Sequence, residues 1–146
     1  MPDDYPAVSV DHDYVSALGA AVYAWATLEW NAVRCCERIR PGSIEALSDR
    51  TAGRVADTLV ALAGDLPASK EQNDLSEAAV RFAALVRTRN NLFHAKPGTN
   101  AEGRERLFRS GDEWLLAEIM KAAETFEDCA RRLDFFLGGF LVDALP

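Results

Sequence analysis

Apolar residues recur at spacings of three and four in four stretches of this chain, and that period predicts four long helices. In the first, residues 11–40, the stripe is Val15, Leu18, Val22, Trp25, Ala32, Cys36 and Ile39. Asp11 or Asp13 is the expected N-cap and early acid, and Pro41-Gly42 ends the run. Glu29 falls on the same stripe, a lone acid on an apolar seam. Ser43 caps a short turn through Leu47. A second helix is predicted over 51–63, with Val55, Leu59 and Leu62 inward and Gly64 as its terminal glycine. The third begins at Ser69 and carries Leu75, Ala78, Phe82, Leu85 and Leu92 on one face. Arg89 occupies a position on that face where an apolar residue is expected. Pro97 disfavours helical geometry in the residue before it, so this helix must stop near Lys96. The fourth helix, 117–137, has the seam Ile119, Ala123, Phe126, Ala130, Leu133 and Leu137.

The segment between the last two helices follows a different pattern. Residues 97–104 read as loop. Arg106–Arg109 and Glu113–Leu115 then flank Ser110-Gly111-Asp112, which is turn chemistry between two short apolar runs, and so predicts a β-hairpin. A lone hairpin is weak and must lean on the helices. The expected fold is all-α: an antiparallel four-helix bundle with a small β-hairpin before the last helix, in one domain spanning 11–142.

Composition narrows the function classes. At 146 residues, 49% hydrophobic and 27% charged, the chain can bury a core. Its most apolar run, 135–142, is too short to span a bilayer and contains Gly138-Gly139, so no membrane segment is expected. Three cysteines without paired spacing predict neither a disulfide framework nor a metal site, and the expected compartment is a reducing cytoplasm. No Walker loop, G-x-S-x-G or GxGxxG sequence is present, and no cofactor is implied. The net charge of −7 argues against nucleic acid. That charge is uneven, however. Residues 1–80 hold 6 basic and 13 acidic groups, whereas 81–109 hold 7 basic and 2 acidic. A local positive patch on an acidic body can bind a polyanion.

The basic block brackets one of two histidines. In Arg89-Asn90-Asn91-Leu92-Phe93-His94, a permanent cation, an amide and an imidazole lie within about one and a half helical turns. Such groups can cleave a phosphodiester without metal. His94 would move the proton, Arg89 would clamp the phosphate, and Asn90 would orient one of them. Arg87, Lys96 and Arg104 are the accompanying phosphate contacts, with RNA as partner. Arg89 and His94 lie about 140° apart on an ideal helix. They converge through the arginine's reach, through distortion near Pro97, or across a homodimer dyad. The structural alternative pairs Arg89 with Glu29 as a buried ion pair that fixes helix register. In a combined version, Glu29 supports the arginine from behind. His12 reads as a solvated helix-start residue. Trp25, Trp30 and Trp114 read as core or interface anchors.

At this hexapeptide the chain resembles the HEPN superfamily (higher eukaryotes and prokaryotes nucleotide-binding domains). The signature of that family is an arginine, often followed by a polar residue such as asparagine, with a histidine four to six residues later. The resemblance implies a compact helical bundle that dimerises. In many members it implies metal-independent ribonuclease activity as a toxin or phage-defence component, paired with a nucleotidyltransferase-type antitoxin. By carry-over, Arg89 and His94 would be catalytic and Asn90 supportive. Other members of the family are non-catalytic and bind a protein partner or a nucleotide.

Overall fold

A computed structural model describes residues 9–142. Its elements are α1 (His12–Ile39), α2 (Ser43–Leu47), α3 (Ala52–Gly64), α4 (Lys70–Phe93), β1 (Lys96–Thr99), β2 (Glu105–Arg109), β3 (Asp112–Glu113) and α5 (Leu116–Leu137). The chain is mostly helical, as the periodicity predicts. Thr51 and Ser69 cap α3 and α4, each side-chain oxygen accepting a backbone N–H three residues on, at 3.2 and 3.0 Å. Asp11 stands at the N-cap position of α1 but makes no side-chain cap bond. Its carboxylate is used elsewhere.

The core forms where three helices meet. Trp25 of α1 stacks on Phe82 of α4, with centroids 5.5 Å apart, and meets the edge of Phe126 of α5 at 5.0 Å. Such aromatic pairs contribute about 0.5–1.5 kcal/mol beyond the area they bury. Small residues on the inner face of α1, including Ala17, Ala21 and Ala32, let α5 approach closely. Asn31 Nδ2, buried between them, donates to the Ala130 carbonyl at 2.9 Å. Cys35 and Cys36 are fully buried, and burial pushes both thiols up to about 12. Neither carries appreciable thiolate at neutral pH.

Helix directions depart from a simple antiparallel bundle. Asn31 lies against Ala130 and Cys35 against the Leu133 carbonyl, so α1 and α5 run in the same direction. Arg132 Nη2 reaches the Asp74 carbonyl at 3.2 Å, so α4 runs opposite to both. Gln72 Nε2 donates to the Ala63 carbonyl at 2.9 Å, which brings the C-terminal end of α3 to the N-terminal end of α4. The C-termini of α1 and α3 therefore lie at the same end of the molecule. Residues 40–51 make this possible by folding back along α1. Glu37 accepts the Gly42 and Ile44 N–H groups at 2.9 and 2.8 Å, which holds its carboxyl below the usual range. Among the described residues, no helix is long and apolar enough to cross a membrane.

The segment after α4 is a three-stranded antiparallel sheet in the order β1-β2-β3, not a two-stranded hairpin. Residues 96–99, expected to be loop from Pro97 onward, pair with β2 in the register Lys96↔Phe108 to Thr99↔Glu105. Pro97 is tolerated because β1 is an edge strand. The outer strand β3 is only Asp112–Glu113. Arg109 pairs with Asp112 across the two-residue turn Ser110-Gly111, whose φ angles of +53° and +86° match the twist of a tight hairpin.

One cluster ties this sheet to the helices. The Tyr14 hydroxyl donates to the Trp114 carbonyl at 2.7 Å and accepts from Leu107 N–H at 3.0 Å. Burial pushes the Tyr14 phenol above its ordinary pKa. Over its ring, at 4.4 Å, sits the guanidinium of Arg106, which is 8% exposed. Arg106 bonds Asp11 at 2.9 Å and the Glu105 carbonyl at 2.9 Å, and lies 3.8 Å from Glu113. Replacing Tyr14 by Phe removes the side-chain partner of one half-buried carbonyl and one half-buried N–H. The expected loss is about 1–3 kcal/mol in urea unfolding, with faster amide exchange in β2. An unchanged unfolding midpoint would remove the hydroxyl from the anchor.

Candidate functional site

His94 terminates α4. Its backbone N–H bonds the Asn90 carbonyl at 3.0 Å, and the helix stops there because Pro97 follows in an extended strand. The imidazole is exposed and lines a groove of about 400 Å³ with Lys96, Phe108, Arg109, Ser110 and Gly111. Two segments distant in sequence meet here: the exit of α4 and the β2–β3 turn. Trp114 helps fix their relation by donating from Nε1 to the Asn91 carbonyl at 3.3 Å.

The predicted site residues divide among five places. His94 and Lys96 share the groove. Arg89 and Asn90 are joined to each other, Nη1 donating to Asn90 Oδ1 at 2.9 Å. The Arg89 guanidinium covers the Phe93 ring at 4.7 Å, and no protein atom accepts from its buried Nε. Arg89 is not among the residues lining the groove on its own chain. Arg87 is exposed further back on α4. Arg104 is drawn to the Asp11 carboxylate at 4.0 Å, beside the anchor cluster.

The structural alternative, a Glu29–Arg89 ion pair, does not form. Glu29 accepts from Trp25 Nε1 at 3.1 Å. The reason is axial register. Helices α1 and α4 run oppositely, with Trp25 level with Phe82 and the N-terminal end of α1 beside the C-terminal end of α4. Glu29 lies one turn beyond Trp25 on α1, towards the end of the molecule away from Arg89. Both residues occupy inner stripes, as the sequence suggests, but at different heights.

Electrostatics single out the groove. Among the described residues, Arg104 and Arg106 have carboxylates within 4.0 Å, whereas Arg87, Arg89, His94, Lys96 and Arg109 have none. The anchor side of the sheet is charge-compensated, and the groove side carries unpaired cations. No group of three or more His, Cys, Asp or Glu side chains among the described residues is disposed to hold a metal ion.

Comparison with protein-family models, with curated proteins and with solved structures finds no match to this chain. Function therefore has to be argued from the groove itself.

Two groove residues, Phe108 and Arg109, were not among the sequence candidates. The signal that marks them is the Ser-Gly turn: the residue just before a two-residue hairpin turn lies at its base, and the turn follows the motif closely. Phe108 is seated by Gly98, since a Cβ at position 98 would lie 2.9 Å from its ring. Gly98→Ala is expected to displace that ring, cost about 1–3 kcal/mol and shift the His94 ring resonances in NMR spectra. Wild-type stability together with unshifted His94 signals would show that Phe108 does not depend on the missing side chain.

Proposed function

We propose that this protein is an HEPN-like, metal-independent endoribonuclease of the bacterial cytoplasm, built on a four-helix HEPN-like bundle and active as a homodimer. The observation that carries the reading is the position of His94. The histidine of the Arg-x4-His sequence stands at an exposed helix end, in an open groove whose other charged residues, Lys96 and Arg109, have no carboxylate within 4.0 Å among the described residues. A polyanion can reach the imidazole without displacing an internal ion pair. The motif arginine is free of Glu29 and held on Phe93.

In this reading His94 removes the proton of a ribose 2′-hydroxyl. The freed oxygen attacks the adjacent phosphorus, and the bond to the 5′-oxygen breaks. The products are a 2′,3′-cyclic phosphate and a 5′-hydroxyl, whose proton comes from a protonated histidine or from water. Guanidinium and ammonium groups stabilise the charge growing on the phosphoryl oxygens. Because Arg89 lies off the groove of its own chain, the arginine that completes the site belongs to a second copy across a dyad. Asn90, bonded to that guanidinium, orients it. A toxin role, with a nucleotidyltransferase-type antitoxin as partner, belongs to the same proposal. His94→Ala should reduce cleavage of mixed RNA in chelator at least about 100-fold while the helical circular dichroism is retained. Cleavage at the wild-type rate would remove His94 from the mechanism.

A second reading, assembly without catalysis, is favoured by the outer face of α1. Val15, Gly19, Val22, Ala26 and Trp30 follow one another at spacings of three and four, and all are exposed. Beside them Tyr23 is 77% exposed. No charged residue lies on this face over about 24 Å of helix. Tyr23 also rims a groove of about 570 Å³ in which Ala20, Ala24 and Ala130 lie among Thr27, Asn31, Glu127, Arg131 and Asp134. A projecting ring beside a hollow of mixed lining, on one patch, suits a two-fold interface between identical chains, where the same surface meets itself. The occupant in this reading is a second copy. Tyr23→Glu should convert a dimer into a 16.0 kDa monomer in sedimentation velocity. A wild-type chain that sediments as a monomer at high concentration would remove this reading.

A further inference from the structure

We propose that α1 packs antiparallel against α1 of a second copy, with the Tyr23 ring of each chain seated in the gap left by Gly19 of the other. This deepens the assembly reading and rests on it. The ribonuclease reading plays no part in it.

Charge sets α1 apart from the other helices. Residues 14–28 include no Asp, Glu, Lys or Arg. On α5, by contrast, Glu118, Lys121, Glu124, Asp128 and Arg131 follow one another at spacings of three and four, all exposed. That is how this chain solvates a helix face, and a helix with no charged face belongs in an interior. Yet only the side of α1 that carries Tyr14, Ala17, Ala21, Trp25 and Leu28 is buried within the chain.

Gly19 has no task inside its own chain. It lies in mid-helix without a positive φ, and a Cβ there would meet nothing within 4 Å. Glycine in a helix interior is destabilising relative to alanine, so the fold alone gives no reason for it. A missing side chain is useful where another surface approaches closely. One turn further on, Tyr23 is 77% exposed. Residues four apart are neighbours on one helix face, separated by about 6 Å along the axis. A gap and a projecting ring therefore stand side by side.

Symmetry decides how two such faces combine. Across a dyad, if residue i meets residue j of the other copy, then j meets i. A parallel pair would set Gly19 against Gly19 and Tyr23 against Tyr23, leaving two gaps and two colliding rings. An antiparallel pair whose dyad passes midway between them puts each ring into the other chain's gap. The groove that Tyr23 rims is a poorer receptor, because Glu127, Arg131 and Asp134 on its wall would have to lose water. The size is sufficient. With aromatic side chains of about 150–250 Å², the exposed residues Val15, Gly19, Val22, Tyr23, Ala26 and Trp30 offer about 500 Å² per copy. A symmetric pair then covers about 1,000 Å², the size at which specific interfaces begin.

The test is sedimentation equilibrium of full-length wild type, Gly19→Leu, Tyr23→Ala and the double variant, with circular dichroism of each. Open space at position 19 and exposure at position 23 predict wild-type helix content in all four. Gly19→Leu closes the gap and should weaken the dimer tenfold or more. Tyr23→Ala should weaken it to a similar degree. Together the two changes should cost less than the product of their separate effects, because the trimmed ring leaves room for the leucine. A Gly19→Leu dimer as tight as wild type would overturn the crossing and leave assembly to another part of the surface. Separate effects that simply multiply would overturn the Tyr23–Gly19 contact. A wild-type chain that stays monomeric at high concentration would remove the assembly reading itself, and the crossing with it.

Discussion

The contact between Arg106 and Tyr14 is the constraint on which the groove depends. Strands of four, five and two residues do not make a sheet that stands alone in water. This one is held because the Tyr14 hydroxyl bonds to backbone on both sides of the turn, Leu107 before it and Trp114 after it. The hairpin is thereby clamped at its base by a residue in the first turn of α1. The ring then carries Arg106, whose near-complete burial requires partners for a charge that cannot be neutralised. Asp11, Glu113 and the Glu105 carbonyl supply them. Desolvation of such a charge offsets much of its attraction to those partners, so the cluster adds little net stability for its size. Its effect is positional: only one placement of β2 satisfies the guanidinium, the phenol and the two backbone groups together.

That placement has consequences at both ends of the sheet. Asp11 gives up its capping role at α1, and the lost N-terminal bond is exchanged for a tie to a strand far away in sequence. At the other end, the turn is brought over the exit of α4, where the helix must stop. Neither segment makes a groove alone. The imidazole at the helix end lacks a wall, and the turn lacks a floor. The distance between α1 and α5, set by alanines and by Trp25 between two phenylalanines, fixes the frame in which the two meet.

The sequence shows the helices because each has a buried stripe with a strong 3.6-residue period, and the stripes alone locate α1, α3, α4 and α5. The Ser-Gly turn shows the hairpin for an equally local reason. What escapes is long-range. Lys96-Pro97-Gly98-Thr99 has the composition of a breaker, and becomes a strand only because an edge tolerates proline and because Gly98 admits the Phe108 ring. The Arg106–Asp11 pair spans most of the chain and leaves no periodic trace. Helix direction is invisible for the same reason. Stripes identify Glu29 and Arg89 as inward-facing, but only the register of α1 against α4 shows that they sit at different heights. Two of the six groove residues, Phe108 and Arg109, escape because their significance depends on a neighbour supplied by a different segment.

Charge is where whole-chain and local readings give opposite answers, and the length scale decides between them. A net charge of −7 repels a polyanion at long range. At physiological ionic strength the screening length is about 8 Å, so carboxylates on the far faces of α1, α3 and α5 contribute little inside the groove. Within that radius the relevant quantity is which charges are already paired. The anchor cluster holds two acids near the hairpin, Asp11 and Glu113, on Arg106. An interaction that fixes the sheet in place thus also engages Glu113, the carboxylate on the sheet face shared by Phe108 and Lys96. The positive field of the groove is in this sense a by-product of the way its wall is held.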